Sequence, residues 1–457
     1  MSPPALAPVS EISVYAHVPF CRSRCSYCGF YFETTRSPSL VDRTLEAIVE
    51  EARAYRTALG GPRARTLYLG GGTPSVVEPE KLAAFIAELR ETFRGDRVDR
   101  PYEVCVEANP ESVDRRFLAA LGEAGVTRLS LGVQSLNDEL LASLGRRARL
   151  AEIDAALDAL STHWRGRVSV DLISGIPGQT ERDVEEAVQR LAACSIDHVS
   201  LYALTVEPGT PLDQAVAAGR TELPRTEEQE QLWFCGAREL ERRLFHWYEI
   251  SNFGRNGDRS LHNSAYWRYE PYIGLGPGAA GTLRTAEGGR VRITNGDLFG
   301  YLRTGTHTRN RSLTGTHTLS RTDARAGNEA ALLPEGGTAE QDRITTGGAH
   351  PHRGAQAGVE HLGAREQLFE LFLCGLRTDE GIPLHRVRDE CGLEPDRVRE
   401  ALRREWPGFR HLCGDALAEG RVLLDREGRL TLDRLLPSLG RALEEALPSQ
   451  GTMAGSG

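Results

Sequence analysis

Between residues 13 and 245 the chain alternates short apolar runs with longer amphipathic ones, six times over. This alternation limits the fold more than any other feature. Strand-like runs lie at 13–18, 66–69, 103–107, 128–133, 168–173 and 198–206. Helical patterns fall between them at 40–55, 80–93, 113–124, 137–144 with 151–160, and 181–193, and another follows at 226–245. Repeated strand–helix units imply parallel strands with right-handed crossovers. Six units make an incomplete α/β barrel, and in such barrels chemistry gathers at the carboxyl ends of the strands.

The loop after the first strand carries Cys21, Cys25 and Cys28, three of only nine cysteines in 457 residues. Thiolates are soft ligands that select iron–sulfur clusters, zinc or copper(I). A cubane cluster takes one thiolate per iron, so three leave one iron open to a small molecule. Structural zinc sites show two separated ligand pairs instead. His17 lies on the strand, away from zinc-finger spacing, and a disulfide needs an oxidising compartment. Scattered cysteines fit a reducing cytoplasm, and no signal peptide or run of about 18 apolar residues is visible. A net charge of −9 argues against general affinity for nucleic acid. The cationic side chains are almost all arginine, Lys81 being the one lysine, which reads as genomic bias.

Other strand ends carry polar or flexible groups. The second runs into Gly70-Gly71-Gly72-Thr73-Pro74, where glycines let backbone approach a ligand. The third ends at Glu107, the fourth at Gln134, and Asp171 lies on the fifth. Each alone is the kind of residue that caps a helix or makes a turn. Their value is joint: successive strands offer ligand-binding groups at the end that bears the cysteine loop.

The opening pattern Tyr15-x-His17-x-Pro19-Phe20-Cys21-x3-Cys25-x-Tyr27-Cys28 resembles that of radical S-adenosylmethionine (SAM) proteins. More narrowly it is similar to the coproporphyrinogen-oxidase-like branch, which includes the HemW heme chaperones. The resemblance implies a six-unit partial barrel and a [4Fe–4S] cluster on Cys21, Cys25 and Cys28. Its unique iron chelates SAM, which an electron cleaves to a 5′-deoxyadenosyl radical. It further implies SAM contacts at Tyr15, Tyr27, Gly71, Gly72, Thr73, Glu107, Gln134, Arg146, Asp171 and Ala203. The glycine run meets the amino group, Glu107 the ribose, Arg146 the carboxylate, and Ala203 packs near the adenine. Relatives often carry His where this chain has Ala148.

A second constellation, His262-Asn263-x-x-Tyr266-Trp267, offers an iron ligand and flat aromatic surfaces. From chemistry alone it also reads as an aromatic strip closing the barrel. It resembles the His-Asn-x-x-Tyr-Trp motif associated with heme, which places heme at His262, Tyr266 and Trp267. Many relatives have His at Ala280. Residues 1–11 read as a tail, 12–246 as the barrel and 247–303 as the closing segment. Residues 304–362 are rich in Gly, Thr, Arg and His, with Thr-Gly-Thr-His-Thr at 304–308 repeated at 314–318, and read as a disordered insertion. Residues 363–437 are expected to form a winged-helix-like α+β domain with a hairpin turning at Glu427-Gly428, followed by a tail at 438–457. Its charges are balanced, thirteen basic against fifteen acidic over 365–434, which disfavours DNA.

The resemblance implies a cytoplasmic heme chaperone with heme or porphyrin as ligand, acceptor hemoproteins and an electron donor as partners, and room for a homodimer. Its rival is an oxygen-independent coproporphyrinogen III oxidase. That branch carries a fourth cysteine two positions after the third, where this chain has Phe30. A radical SAM enzyme that opens the heme ring is a third reading with no specific support.

Overall fold

A computed structural model describes residues 5–34, 37–94, 102–303 and 357–447. The six expected strands are present: β1 (Glu11–Val18), β2 (Arg63–Gly71), β3 (Glu103–Ala108), β4 (Arg128–Gln134), β5 (Arg167–Ser174) and β6 (His198–Ala203). They lie side by side in chain order and all are parallel. The connecting helices follow the apolar period. Helix Glu181–Ala192 buries Val184, Ala187, Val188 and Leu191 on one face, and Thr180 and Asp183 form a capping box at its start.

Six more strands extend the sheet at both edges: β7 (Phe245–Trp247), β8 (Asn252–Arg255), β9 (Tyr272–Leu275), β10 (Ala280–Arg284), β11 (Arg290–Thr294) and β12 (Gly358–Leu362). The full order is β12-β11-β10-β9-β1-β2-β3-β4-β5-β6-β8-β7. Strand β9 runs parallel to β1, and β8 runs antiparallel to β6. The strands of the expected closing segment thus lengthen an open sheet, and β1 is not bonded to β6. The helix Leu261–Trp267 instead occupies the barrel interior at the strands' amino ends, where His262 meets Thr66 of β2 and Glu103 of β3.

Arg128 anchors this inner helix. Its guanidinium, almost wholly buried, donates to Glu103 at 2.8 Å, to both oxygens of Asp258 at 2.8 Å, and to Ser169 at 3.0 Å. Glu103 in turn accepts from the His262 backbone at 3.0 Å. One cation therefore ties three strands to the turn that starts the helix.

Two expected boundaries move. The insertion assigned to 304–362 ends earlier, because Gly358–Leu362 pairs antiparallel with Arg290–Thr294; residues 304–356 lie outside the described ones. The hairpin expected at 421–432 does not form. Arg421–Val422 pairs with Ile382–Pro383, and Asp425 then caps a helix at Arg426–Leu430 by accepting from Gly428 at 2.6 Å. A final helix, Leu432–Ala446, runs into the expected tail. Its buried Leu432, Leu436, Leu439 and Leu443 keep helical spacing and join a separate core with Val398, Leu402 and Phe372. Strand-like composition gave way there to helix packing. Among the described residues no helix is long and apolar enough to cross a membrane.

Arg128→Met is expected to destabilise the fold by about 3–5 kcal/mol, since it leaves the buried Glu103 without a cation and Asp258 with only the longer contact to Arg167 at 3.6 Å. Chemical denaturation measures this. Arg182→Met, which removes an exposed pair with Glu186, is the matched control and is expected to leave the midpoint unchanged.

Candidate functional site

At the carboxyl ends of β1–β6 lies a cavity of about 390 Å³. Every residue assigned above to cluster or SAM lines it: Cys21, Cys25, Cys28, Tyr15, Tyr27, Gly71, Gly72, Thr73, Glu107, Gln134, Arg146, Asp171 and Ala203. None of the nine cysteines is in a disulfide.

The cysteine loop is held from two sides. Below it, the Gly72 and Thr73 backbone N–H groups donate to Val18 at 2.9 Å and Phe20 at 2.8 Å. A Cβ on Gly72 would sit 2.6 Å from the Pro19 backbone, so only glycine allows this approach. Gly71 has φ +105°, and a Cβ there would strike the His17 ring at 2.5 Å. Across the loop, Ser26 donates to Leu144 at 2.9 Å and Leu212 donates to Ser26 at 2.8 Å.

His17 belongs to this support. Its Nε2 donates to the Tyr31 carbonyl at 2.9 Å, which leaves Nδ1 to accept from the Tyr15 hydroxyl at 2.9 Å. Burial lowers its pKa to about 4, so it is a neutral strut with both nitrogens engaged.

Arg146 is the charge centre of the cavity. It is buried, donates to Gly132 at 2.6 Å and Asn109 at 2.8 Å, and lies 3.7 Å from the Cys25 sulfur. Its Nε is buried with no partner among the described residues. Arg147 is exposed, so the two adjacent arginines take different places and it is the expected Arg146 that turns inward. Ala148 is buried beside them.

Two carboxyls face the cavity. Burial pushes Glu107 up to about 7, although Tyr68 donates to it at 2.7 Å. Burial pushes Asp171 up to about 6, against hydrogen bonds from Ser200 and Ser130. Gln134 takes φ +70°, a left-handed conformation unusual for a side-chain-bearing residue, at an irregularity of β4 pairing. Sequence reasoning missed Asn109, which links Thr73 at 3.4 Å to Arg146. Its position two residues beyond Glu107, on the same strand end, was the available signal.

The donor set fits a cluster with a bound sulfonium ligand. Among the described residues no group of three His, Cys, Asp or Glu converges on a single metal ion. A cubane instead takes thiolates spread over different irons. The glycine cradle, the free Arg146 Nε and the two carboxyls supply a polar bed beside the thiols.

The second constellation lies elsewhere. His262 is buried beneath the cavity, its Nδ1 bonded to the Thr66 hydroxyl at 2.7 Å and its Nε2 to Tyr266 at 2.7 Å. Its ring stacks on Tyr68 at 5.0 Å, and burial lowers its pKa to about 3. Tyr266 packs edge-on against Tyr272 at 4.5 Å. Trp267 faces a different cavity, about 460 Å³, between the inner helix and the C-terminal domain. Ala280 starts β10, its carbonyl so near Gly274 that a Cβ on Gly274 would lie 2.1 Å away.

Comparison with known proteins agrees with this geometry. The Radical SAM superfamily model matches residues 15–191. The chain is 34% identical over 448 residues to mouse radical S-adenosyl methionine domain-containing protein 1, mitochondrial, covering 96% of this chain and 89% of that one. It is 35% identical over 296 residues to the heme chaperone HemW of Bacillus subtilis, covering 64% and 75%. Among solved structures, coproporphyrinogen III oxidase (HemN) of Escherichia coli superposes with TM-score 0.66 at 19% identity, covering 95% of this chain and 90% of that one.

The carboxyl of Glu107 titrates higher in the fold than its ordinary 4.5. Its contribution to stability is therefore complete below about pH 4.5 and is lost as pH rises through about 7. In the cofactor-free protein, Glu107→Gln is expected to flatten the decline in thermal midpoint between about pH 5 and about pH 8. Parallel curves for parent and variant would refute this.

Proposed function

The chain belongs to the radical SAM superfamily, in the branch of HemN-like and HemW-like proteins, and from that premise we propose that it is a heme chaperone, binding heme and passing it to acceptor hemoproteins. The family carries a [4Fe–4S] cluster and SAM, which together supply one-electron reducing chemistry when bound. We assign the cluster to Cys21, Cys25 and Cys28.

The chain's own groups do the positioning. The backbone of Gly71, Gly72 and Thr73 lies open to an amino group. Arg146, with one buried N–H uncommitted, faces a carboxylate and offsets the charge of the thiolates. Glu107 and Asp171 accept from ribose hydroxyls. Tyr15 and Tyr27 wall the site, Gln134 reaches in from β4, and Ala203 leaves room for a flat base. An external electron donor serves the cluster.

One observation favours the chaperone over the oxidase. Two positions after Cys28, where the oxidase branch carries a fourth cysteine, stands Phe30, and it is 57% exposed. It can neither ligate iron nor donate a hydrogen atom as a thiol does. The relatives named as heme chaperones point the same way. His262 is not assigned as an iron ligand: both its nitrogens are engaged and it is buried. The His-Asn-x-x-Tyr-Trp segment serves as the barrel's inner plug, with Asn263 donating to the buried Glu249 at 3.3 Å.

Anaerobically reconstituted protein is expected to hold about four irons, and the triple Cys21→Ala/Cys25→Ala/Cys28→Ala variant to lose them. Full iron and sulfide content in the variant would overturn the cluster assignment. The reconstituted protein is also expected to bind hemin, transfer it to an apo-hemoprotein, and leave coproporphyrinogen III unchanged. Turnover of coproporphyrinogen III with SAM and a reductant would replace the chaperone reading by the oxidase.

A further inference from the structure

We propose that the rim of the SAM cavity is the seat of the heme, with Phe30 and Tyr202 as an apolar platform and Arg22, Arg24 and Arg147 as partners of the propionates. This rests on the chaperone reading and gives it a place.

Phe30 and Tyr202 are 57% and 44% exposed, and both line the cavity. No other exposed large apolar side chain among the described residues does so. Gly29 fixes the cysteine loop against the stretch beyond β6: a Cβ there would lie 2.6 Å from Glu207. The two aromatics are thus carried on segments packed together: Phe30 is turned to solvent, and Tyr202, on the inward face of β6 with Ser200, shows its ring to the open cavity with its hydroxyl toward Asp171 and Glu107. Exposed aromatic faces at a cavity mouth are suited to a flat apolar ring.

The charge at the rim has the matching sign. The guanidinium groups of Arg22 and Arg147 make no ion pair or hydrogen bond among the described residues, and both are exposed. Arg24 donates only to the Gly209 carbonyl at 3.3 Å and lies 5.9 Å over the ring of Phe32. The carboxylates of the lining, Glu107, Glu111, Asp171 and Glu207, form no ion pair with these three. Elsewhere arginines facing carboxylates pair with them, as Arg65 does with Glu270 and Arg268 with Glu380. Three guanidinium groups with no carboxylate partner among the described residues, beside two exposed aromatics, complement a flat ring that carries carboxylates.

Space supports the rim as well. A cavity of about 390 Å³ holds one small ligand. With SAM inside it, a tetrapyrrole has the mouth left to it. The inner plug offers no alternative, because His262 is buried with both nitrogens bonded.

Hemin and hemin dimethyl ester, titrated into the reconstituted full-length protein, test the assignment. Phe30→Ala/Tyr202→Ala is expected to weaken hemin binding about tenfold or more. Arg22→Gln/Arg24→Gln/Arg147→Gln is expected to abolish the preference for hemin over the ester. Iron content and circular dichroism check that both variants are folded and loaded; a variant that fails them is replaced by Phe30→Ser alone or Arg147→Gln alone, read the same way. Parent protein that binds hemin while the folded variants bind both probes as it does would overturn the rim assignment alone. Parent protein that binds no hemin would overturn the chaperone reading, and the rim assignment with it.

Discussion

The close backbone passage between Gly71–Gly72–Thr73 and Pro19–Cys21 is the contact on which the site depends. Two N–H groups of one strand end donate to carbonyls under the cysteine loop, and there is no room for a Cβ between them. This one approach fixes the height of Cys21, sets its sulfur 3.5 Å from the Thr73 hydroxyl, and keeps the glycine backbone facing the cavity. Two segments about fifty residues apart in sequence are thereby held as one wall, and the parallel pairing of β1 with β2 enforces it from behind.

Beneath this wall the barrel interior is polar, and burial has settled its charges. His17 and His262 are held neutral, and Glu107 and Asp171 are pushed toward neutrality. Desolvation is the leading cause in each case, as expected where charged forms lose their water. Arg146 keeps its charge because the Cys25 sulfur, the Gly132 carbonyl and the Asn109 amide oxygen accept from it. Arg146 is therefore the buried cation of the cavity, which suits a ligand with a carboxylate to hold. A column of hydrogen bonds and stacked rings connects the site to the plug: Glu107 to Tyr68, Tyr68 on His262, and His262 to Tyr266. Arg128 closes this column at the strands' amino ends through Glu103.

This arrangement separates two jobs that the sequence presents in similar language. Aromatic residues near histidine suggest a heme surface wherever they occur. In the fold, those of the inner helix are consumed by packing, while Phe30, marked in the sequence only as standing in a cysteine's place, and Tyr202, which nothing there singled out, line the open cavity with arginines near them that form no ion pair among the described residues. The difference is solvent access, which periodicity on a seven-residue helix does not encode.

The sequence alone yielded the six parallel strands, the placement of chemistry at their carboxyl ends and the cysteine, glycine and carboxyl groups of the cavity's lining, but not Asn109 or Tyr202. Strand–helix alternation and loops of cysteine and glycine are local properties, and local properties survive in a one-dimensional reading. It did not determine what holds Arg146 inward, or that His262 is a strut. Nor did it show that the chain beyond Arg421 forms helices. Those outcomes turn on partners far away in sequence: Gly132 and Asn109 for Arg146, Thr66 for His262, and Val398 and Leu402 for the final helix. Burial and pairing across long separations decide them, and only the tertiary structure brings those partners together.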